Sequence, residues 1–294
     1  MLVRMTLRIL PLALLIATPL LDLKAQTEET VQASLCISGP FQANSREQLE
    51  TFLVHCNEAI ENTSRGSPLF TSLLLSRGML SADLGDRDKA LDDLTEIISL
   101  LTEDNLLRAT VLTIRSMHYT HIGDAKRALD DANAVLSVTP DYWEAYYARG
   151  LANSRYGDLD KAIDDYTIFI KHFPDDPDGY NNRAYAFIRS GKLAKAQADI
   201  ERAVVLAPKI GMYRHSLGEI QALRGDLEQA RLSWITACHD TDQHVRYAWK
   251  RSLKKQGLYA GELDQSCGQE LITAFEDCLK KRCVLATEDF ELSK

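Results

Sequence analysis

WEAYYARGLANSRYGDLDKAIDDYTIFIKHFP, residues 143–174, reads as two short helices joined at Gly157-Asp158 and closed by Pro174. Gly157 ends the first helix, because glycine takes a positive φ without a Cβ penalty. Ala162 follows five residues later on the second helix, and Pro174 stops that helix because proline cannot continue it. The same spacing recurs along the chain as Gly85/Ala90, Gly123/Ala128, Gly157/Ala162, Gly191/Ala196 and Gly225/Ala230, with Gly-to-Gly steps of 38, 34, 34 and 34. Pro140, Pro174 and Pro208 keep the 34-residue step as well. Small residues at Gly78, Ser116, Gly150, Ala184 and Gly218 allow the two helices of each pair to approach closely.

A fixed 34-residue period of paired helices resembles the tetratricopeptide repeat (TPR) family. The resemblance rests on Gly150, Gly157-Asp158, Ala162, Tyr166 and Pro174 in the copy quoted above, and on its fivefold recurrence. It implies an all-α fold, a right-handed TPR superhelix (helix-turn-helix solenoid) with a small helical C-terminal module. Five copies are expected, near 71–108, 109–142, 143–176, 177–210 and 211–242. Four extra residues around Leu101–Asp104 lengthen the first link, so a local change of superhelix geometry is expected there. Ahead of the repeats, within 26–70, Ser45–Glu61 reads as an amphipathic helix with Leu49, Phe52, Leu53, Cys56, Ala59 and Ile60 on its apolar side, suited to capping a solenoid.

Two charged columns recur with the repeat. Arg77, Arg115, Arg149 and Arg183 share one position, and Asp93, Asp131, Asp165 and Asp199 lie 16 residues after them. That constant offset favours ion pairs between the helices of a repeat over a ladder of anion-binding arginines. The first helix of each repeat lines the concave face, which in this family receives peptides or partner segments. The resemblance places Leu75, Met79, Thr113, Met117, Tyr147, Leu151, Asn181, Tyr185, His215 and Glu219 on that face. Such a lining suits an extended peptide held by aromatic, thioether and amide contacts. It lacks the lysine set with which chaperone-tail members hold a terminal carboxylate, so that ligand is not expected, although Arg155 and Arg189 lie near its edge.

The ends of the chain bear on location. Arg4 and Arg8 precede an apolar run from Ile9 to Leu21, interrupted by Pro11 and Pro19, and Ala25 offers a cleavage point, so residues 1–25 read as a signal peptide. The run is short for a membrane span, which needs roughly 20 residues. The net charge is -8, and residues 1–25 are themselves basic, so the remainder is more acidic still. An acidic surface of this kind disfavours nucleic acid and anionic lipid as partners. No membrane binding is expected once the signal is cleaved. The six cysteines cluster at the two ends, which fits an oxidising, periplasmic or secreted location. Cys36 with Cys56 ties the leading segment to the capping helix. A helix over 268–280 separates Cys267 from Cys278 by roughly 16 Å at 1.5 Å per residue, beyond disulfide reach. Cys238–Cys267 and Cys278–Cys283 are therefore expected, in preference to a zinc site, whose close CxxC spacing is absent.

Beyond the repeats, within 243–294, Gln243–Gln256 and Gln269–Lys280 read as helices flanking a turn-rich loop. Residues 253–279 resemble a small peptidoglycan-binding-like domain at Gly257, Tyr259, Gly261, Leu263, Asp264, Gly268 and Ala274, but depart from it at Gln265 and Leu271. This implies either a glycan-binding module or a solenoid cap. Nothing points to catalysis: the histidines 55, 118, 121, 172, 215, 239 and 244 form no HExxH, and GxSxG, P-loop and dinucleotide motifs are missing. His118 and His121 are spaced to share a metal, but a structural role is favoured. The expectation is a non-enzymatic periplasmic interaction scaffold or adaptor of the bacterial envelope, without cofactor or metal, binding a protein or peptide partner. The alternative is a peptidoglycan binder anchored through its C-terminal module.

Overall fold

The computed structural model describes residues 28–281 apart from 44, 103–105, 242 and 265; the expected signal segment lies outside them, as does Cys283. Among the described residues the chain is all-α, with fourteen helices and no strand. It divides into two compact units, residues 1–156 and 157–294. The first contains α1 (Glu28–Gln42), α2 (Arg46–Glu61), α3 (Pro68–Asp83), α4 (Arg87–Leu100), α5 (Leu106–His121), α6 (Ala125–Val138) and α7 (Trp143–Tyr156). The second contains α8 (Leu159–His172), α9 (Pro177–Arg189), α10 (Leu193–Leu206), α11 (Gly211–Leu223), α12 (Leu227–Asp240), α13 (Gln243–Lys255) and α14 (Gln269–Lys280). In the first unit α1–α2, α3–α4 and α5–α6 pack as pairs, and in the second α9–α10, α11–α12 and α13–α14 do.

The repeat's sequence signature has a local cause at each turn. Gly85, Gly123, Gly157, Gly191 and Gly225 all take positive φ, between 72° and 101°. Within the turns the next residue's N–H reaches back to an orphan carbonyl of the first helix, as Asp86 does to Ser81 and Asp226 to Gln221. Asp86, Asp124, Asp158 and Asp226 then cap the second helix through their side chains. Lys192 stands at the same place in the fourth copy and supplies no side-chain cap. The five alanines that follow are fully buried between helices. Ser116 adds a bond across its pair, donating to the Ala128 carbonyl at 2.7 Å.

Three arginines of the column are spent on the scaffold. Arg77, Arg115 and Arg183 each make a two-pronged contact with Asp93, Asp131 and Asp199, at 2.7–2.9 Å. Each guanidinium also reaches the second helix of the preceding pair: Arg77 to Asn57, Arg115 to Thr95 and Arg183 to Thr167. Thr95 lies 20 residues before Arg115, whereas Thr167 lies 16 before Arg183. The interhelical contact is thus retained where the sequence is four residues longer. Arg108 steadies that link by donating to the carbonyls of Ile98 and Leu101.

Each end is built on a helix pair. At the N-terminal end the cap is a helix pair, and its first helix, α1, runs through Gly39 and Pro40. Gly39 is needed by packing, since a Cβ there would meet Phe52 Cβ at 2.6 Å. Cys36 and Cys56 are fully buried and disulfide-bonded, joining α1 to α2. At the C-terminal end the 34-residue register continues past the last expected copy, with Trp249 34 residues after His215 and Leu253 34 after Glu219. Helices α13 and α14 share one core with the preceding pair, containing Trp234, Ala237, Trp249, Leu253, Leu271 and Phe275. Cys238 is bonded to Cys267. Cys278 is also disulfide-bonded, and its expected partner Cys283 lies outside the described residues.

Candidate functional site

In the first unit the residues expected on the inner face lie on α3, α5 and α7. Leu75, Met79, Thr113, Met117 and Tyr147 are buried there, and Leu151 is half-buried. In the second unit Asn181 and His215 are buried, whereas Tyr185 and Glu219 keep part of their surface. His215 lies inside the C-terminal core, its ring 5.0 Å from that of Trp249 and 4.8 Å from that of Phe275. Burial pushes its imidazole down to about 3, so it is neutral at physiological pH. The continued register explains this placement: Trp249 packs, with its ring tilted, against the equivalent position one repeat earlier.

The partly exposed Tyr185 and Glu219 form a connected polar group with the buried Ser216, between α9 and α11. The Tyr185 hydroxyl donates to Glu219 Oε2 at 3.1 Å and lies 3.1 Å from Ser216 Oγ. Ser216 in turn donates to the Met212 carbonyl. Burial pushes the Glu219 carboxyl up to about 7, a rise that the hydrogen bond from Tyr185 only partly offsets. The Tyr185 hydroxyl is raised well above its ordinary value by the same desolvation and by the facing carboxylate. Ser216 is the member that inner-face alignment overlooked; its position next to His215 and three before Glu219 is the signal that finds it.

Other candidates take internal roles. His118 is buried and held neutral, its imidazole pushed down to about 3 by desolvation. Among the described residues no group of three metal-capable side chains converges. Tyr259 and Asp264, two of the glycan-module positions, are used within the chain: Tyr259 donates to the Glu262 carbonyl, and Asp264 receives the buried ammonium of Lys250. That contact holds the Asp264 carboxyl down at about 2. A cleft of about 440 Å³, unanticipated from sequence, opens between α8 and α10 over Arg183 and Phe187. Its charges are largely matched in place, with Lys192 Nζ 3.1 Å from Asp160 and Arg183 committed to Asp199. No described helix is long and apolar enough to cross a membrane.

Comparison with known proteins supports the repeat. Residues 122–177, 154–209 and 181–238 match the tetratricopeptide repeat family model. A comparison with curated proteins finds no match in sequence. Among solved structures, the chain is similar to a tetratricopeptide repeat protein from Parabacteroides merdae ATCC 43184, at 17% identity and a TM-score of 0.60 over 94% of this chain and 98% of that one. It is similar to PilW, described as a widely conserved type IV pilus biogenesis factor, at 13% identity and a TM-score of 0.58 over 71% of this chain and 91% of that one. A thermophilic TPR protein from Thermus thermophilus matches at 19% identity and a TM-score of 0.53, over 58% and 91% of the two chains. At these identities the likeness concerns the fold. The chain carries tetratricopeptide repeats on an all-α, helix-turn-helix solenoid architecture.

Proposed function

We propose that this chain is an exported interaction scaffold of the bacterial cell envelope that holds a protein partner on the inner faces of its repeats. The observation that carries this reading is a contrast within the first helices. Arg77, Arg115 and Arg183 of the repeating column are locked into Asp pairs, while the inner-face positions of the first helices change from copy to copy: Met79, Met117, Leu151, Tyr185 and Glu219 occupy one column. A constant framework carrying a variable lining is the arrangement that recognition surfaces use. Two disulfide pairs, Cys36–Cys56 and Cys238–Cys267, support an oxidising compartment, reached by way of a cleaved signal segment at 1–25. We assign residues 243–281 the role of a cap, on the ground that they complete the core of the last pair instead of enclosing one of their own.

Photo-cross-linkers at positions 151 and 185, on the inner face, and at 156 and 205, where Tyr156 and Val205 are exposed, test the surface in living cells. Discrete adducts are expected from the inner positions alone, and equal or absent labelling there contradicts the proposal. Export is tested by fusing residues 1–30 to a reporter active only outside the cytoplasm. Co-sedimentation with purified sacculi that depends on residues 243–294 would replace the cap by a wall anchor.

A further inference from the structure

Within this proposed binding face, and resting on that reading, we propose that Asn181, Tyr185, Ser216 and Glu219 form a subsite for a cationic side chain, an ammonium or guanidinium presented by the partner. All four belong to the second unit. Asn181 and Tyr185 sit one turn apart on α9, as neighbours on one helix face. Ser216 and Glu219 sit on α11 opposite them, tied to Tyr185 by the two 3.1 Å contacts.

The group is short of protons. Tyr185 and Ser216 own one hydroxyl proton each, and they face Glu219 Oε2, the Met212 carbonyl and one another. An ionised Glu219 offers about four lone-pair sites and receives one donor, Tyr185. Asn181, only 2% exposed, adds an amide oxygen that accepts no hydrogen bond. Buried acceptors in native proteins are nearly always satisfied, so the Asn181 oxygen, one turn from Tyr185, calls for a donor from outside, and Glu219 has lone pairs left for the same donor. Glu219 also makes no ion pair among the described residues, and the nearest imidazole along its helix, His215, is neutral. An anion entering here would meet carboxylate and amide oxygens, and an apolar group would leave them desolvated and unpaired. A cation supplies both the missing donors and the missing charge. Glu219 and Tyr185 are partly exposed as whole residues. The sign is opposite to that of a groove built to hold a terminal carboxylate.

The test uses the mature chain, residues 26–294, with three small probes at pH 7.5: Nα-acetyl-lysine N-methylamide, its norleucine isostere and its glutamate counterpart. Backbone amide shifts of α9 and α11 and the carboxyl carbon shift of Glu219 are followed by NMR. The lysine probe is expected to shift both sets saturably, the norleucine and glutamate probes to shift neither, and Glu219→Gln to weaken the lysine probe at least tenfold. Tyr185→Phe, which removes one hydroxyl and no volume from the core, is expected to weaken it severalfold and serves if the glutamine variant fails to fold. Equal shifts with lysine and norleucine, or unchanged lysine affinity in the variants, overturn the subsite. If cross-linking from position 185 still captures a partner in that event, only this inference falls. If the lysine probe binds Glu219 but no inner-face position cross-links, the scaffold proposal falls instead.

Discussion

Two glycines in one repeat column should respond oppositely to the same methyl group. Gly78 on α3 and Gly218 on α11 both sit where the first helix of a pair meets the second. A Cβ at Gly78 would lie 3.5 Å from the Ala90 carbonyl oxygen and 3.6 Å from Asp93 Cβ, which is ordinary contact. Gly78→Ala therefore removes the cost of glycine in a helix and should stabilise the first unit by about 0.5–1 kcal/mol. At Gly218 the same atom would lie 2.5 Å from Trp234 Nε1 and 2.6 Å from its Cδ1. Trp234 is fully buried, and its indole N–H donates to the His215 carbonyl at 3.2 Å, so the ring cannot retreat without breaking that bond. Overpacking costs about 1–3 kcal/mol and the lost hydrogen bond about 1. The helix gain offsets about 1 of this, leaving Gly218→Ala destabilised by about 1–3 kcal/mol. Urea titration followed by far-UV circular dichroism reads both units, and tryptophan fluorescence weights the second, which holds Trp234 and Trp249. At a slope of about 2 kcal/mol per molar, a loss of 2 kcal/mol lowers the midpoint by about 1 M. Midpoints that move in the same direction in both variants would refute the claim that contact geometry, and not the repeat column, decides the outcome.

Four further outcomes follow from the same structure. Lys192→Asn restores the side-chain cap that the other four turns have and should raise the second unit's urea midpoint, by about 0.5–1 kcal/mol in stability. Asp199→Asn leaves the largely buried Arg183 guanidinium without its carboxylate and should cost about 2–4 kcal/mol in the same titration. Replacing both Cys238 and Cys267 by alanine opens a bridge between positions 29 residues apart and should lower stability by about 3 kcal/mol, seen as a fall in the non-reduced melting temperature. Glu219 has its folded pKa raised to about 7, so its stabilising contribution is full below its unfolded value and is lost as pH climbs through 7. Glu219→Gln should accordingly be more stable than the parent at pH 8, by on the order of 1 kcal/mol. The difference should vanish by pH 5 in parallel thermal melts.

The parts of this molecule that were legible in sequence are those in which one local cause recurs. Positive-φ glycines, Asp caps, buried alanines and Arg–Asp pairs each announce themselves several times, so period and chemistry agree independently. The ends were harder because they obey the same packing with different residues. Helix α1 hides behind Gly39-Pro40, where glycine is demanded by Phe52 and not by a turn. Helix α13 keeps the 34-residue register, yet its turn glycine, Gly257, comes 32 residues after Gly225, and α14 begins only after a long disulfide-tied loop. With the spacing broken, Gly257, Tyr259 and Asp264 invited comparison with a different module. In the folded chain Tyr259 and Asp264 instead hold that loop to Glu262 and Lys250.

The candidate site follows the reverse logic. Alignment to the repeat identifies which positions face inward, but a column whose residues are Tyr147, Asn181 and His215 carries no common chemistry to read. What each residue does there depends on its neighbour one repeat away: Trp249 turns His215 into core, and Glu219 turns Tyr185 into a donor. Both neighbours lie 34 residues further along the chain, yet the two pairings differ in chemistry, so the period locates them without describing them. Repetition therefore marks the scaffold, and the departures from it mark where recognition can reside. Tyr185, Ser216 and Glu219 are such a departure, since the equivalent positions two copies earlier, Met117, Ala148 and Leu151, can build no polar contact of this kind through their side chains. If specificity lies in that departure, exchanging Tyr185 and Glu219 for the apolar pair Met and Leu should preserve the fold and abolish discrimination between lysine and norleucine probes.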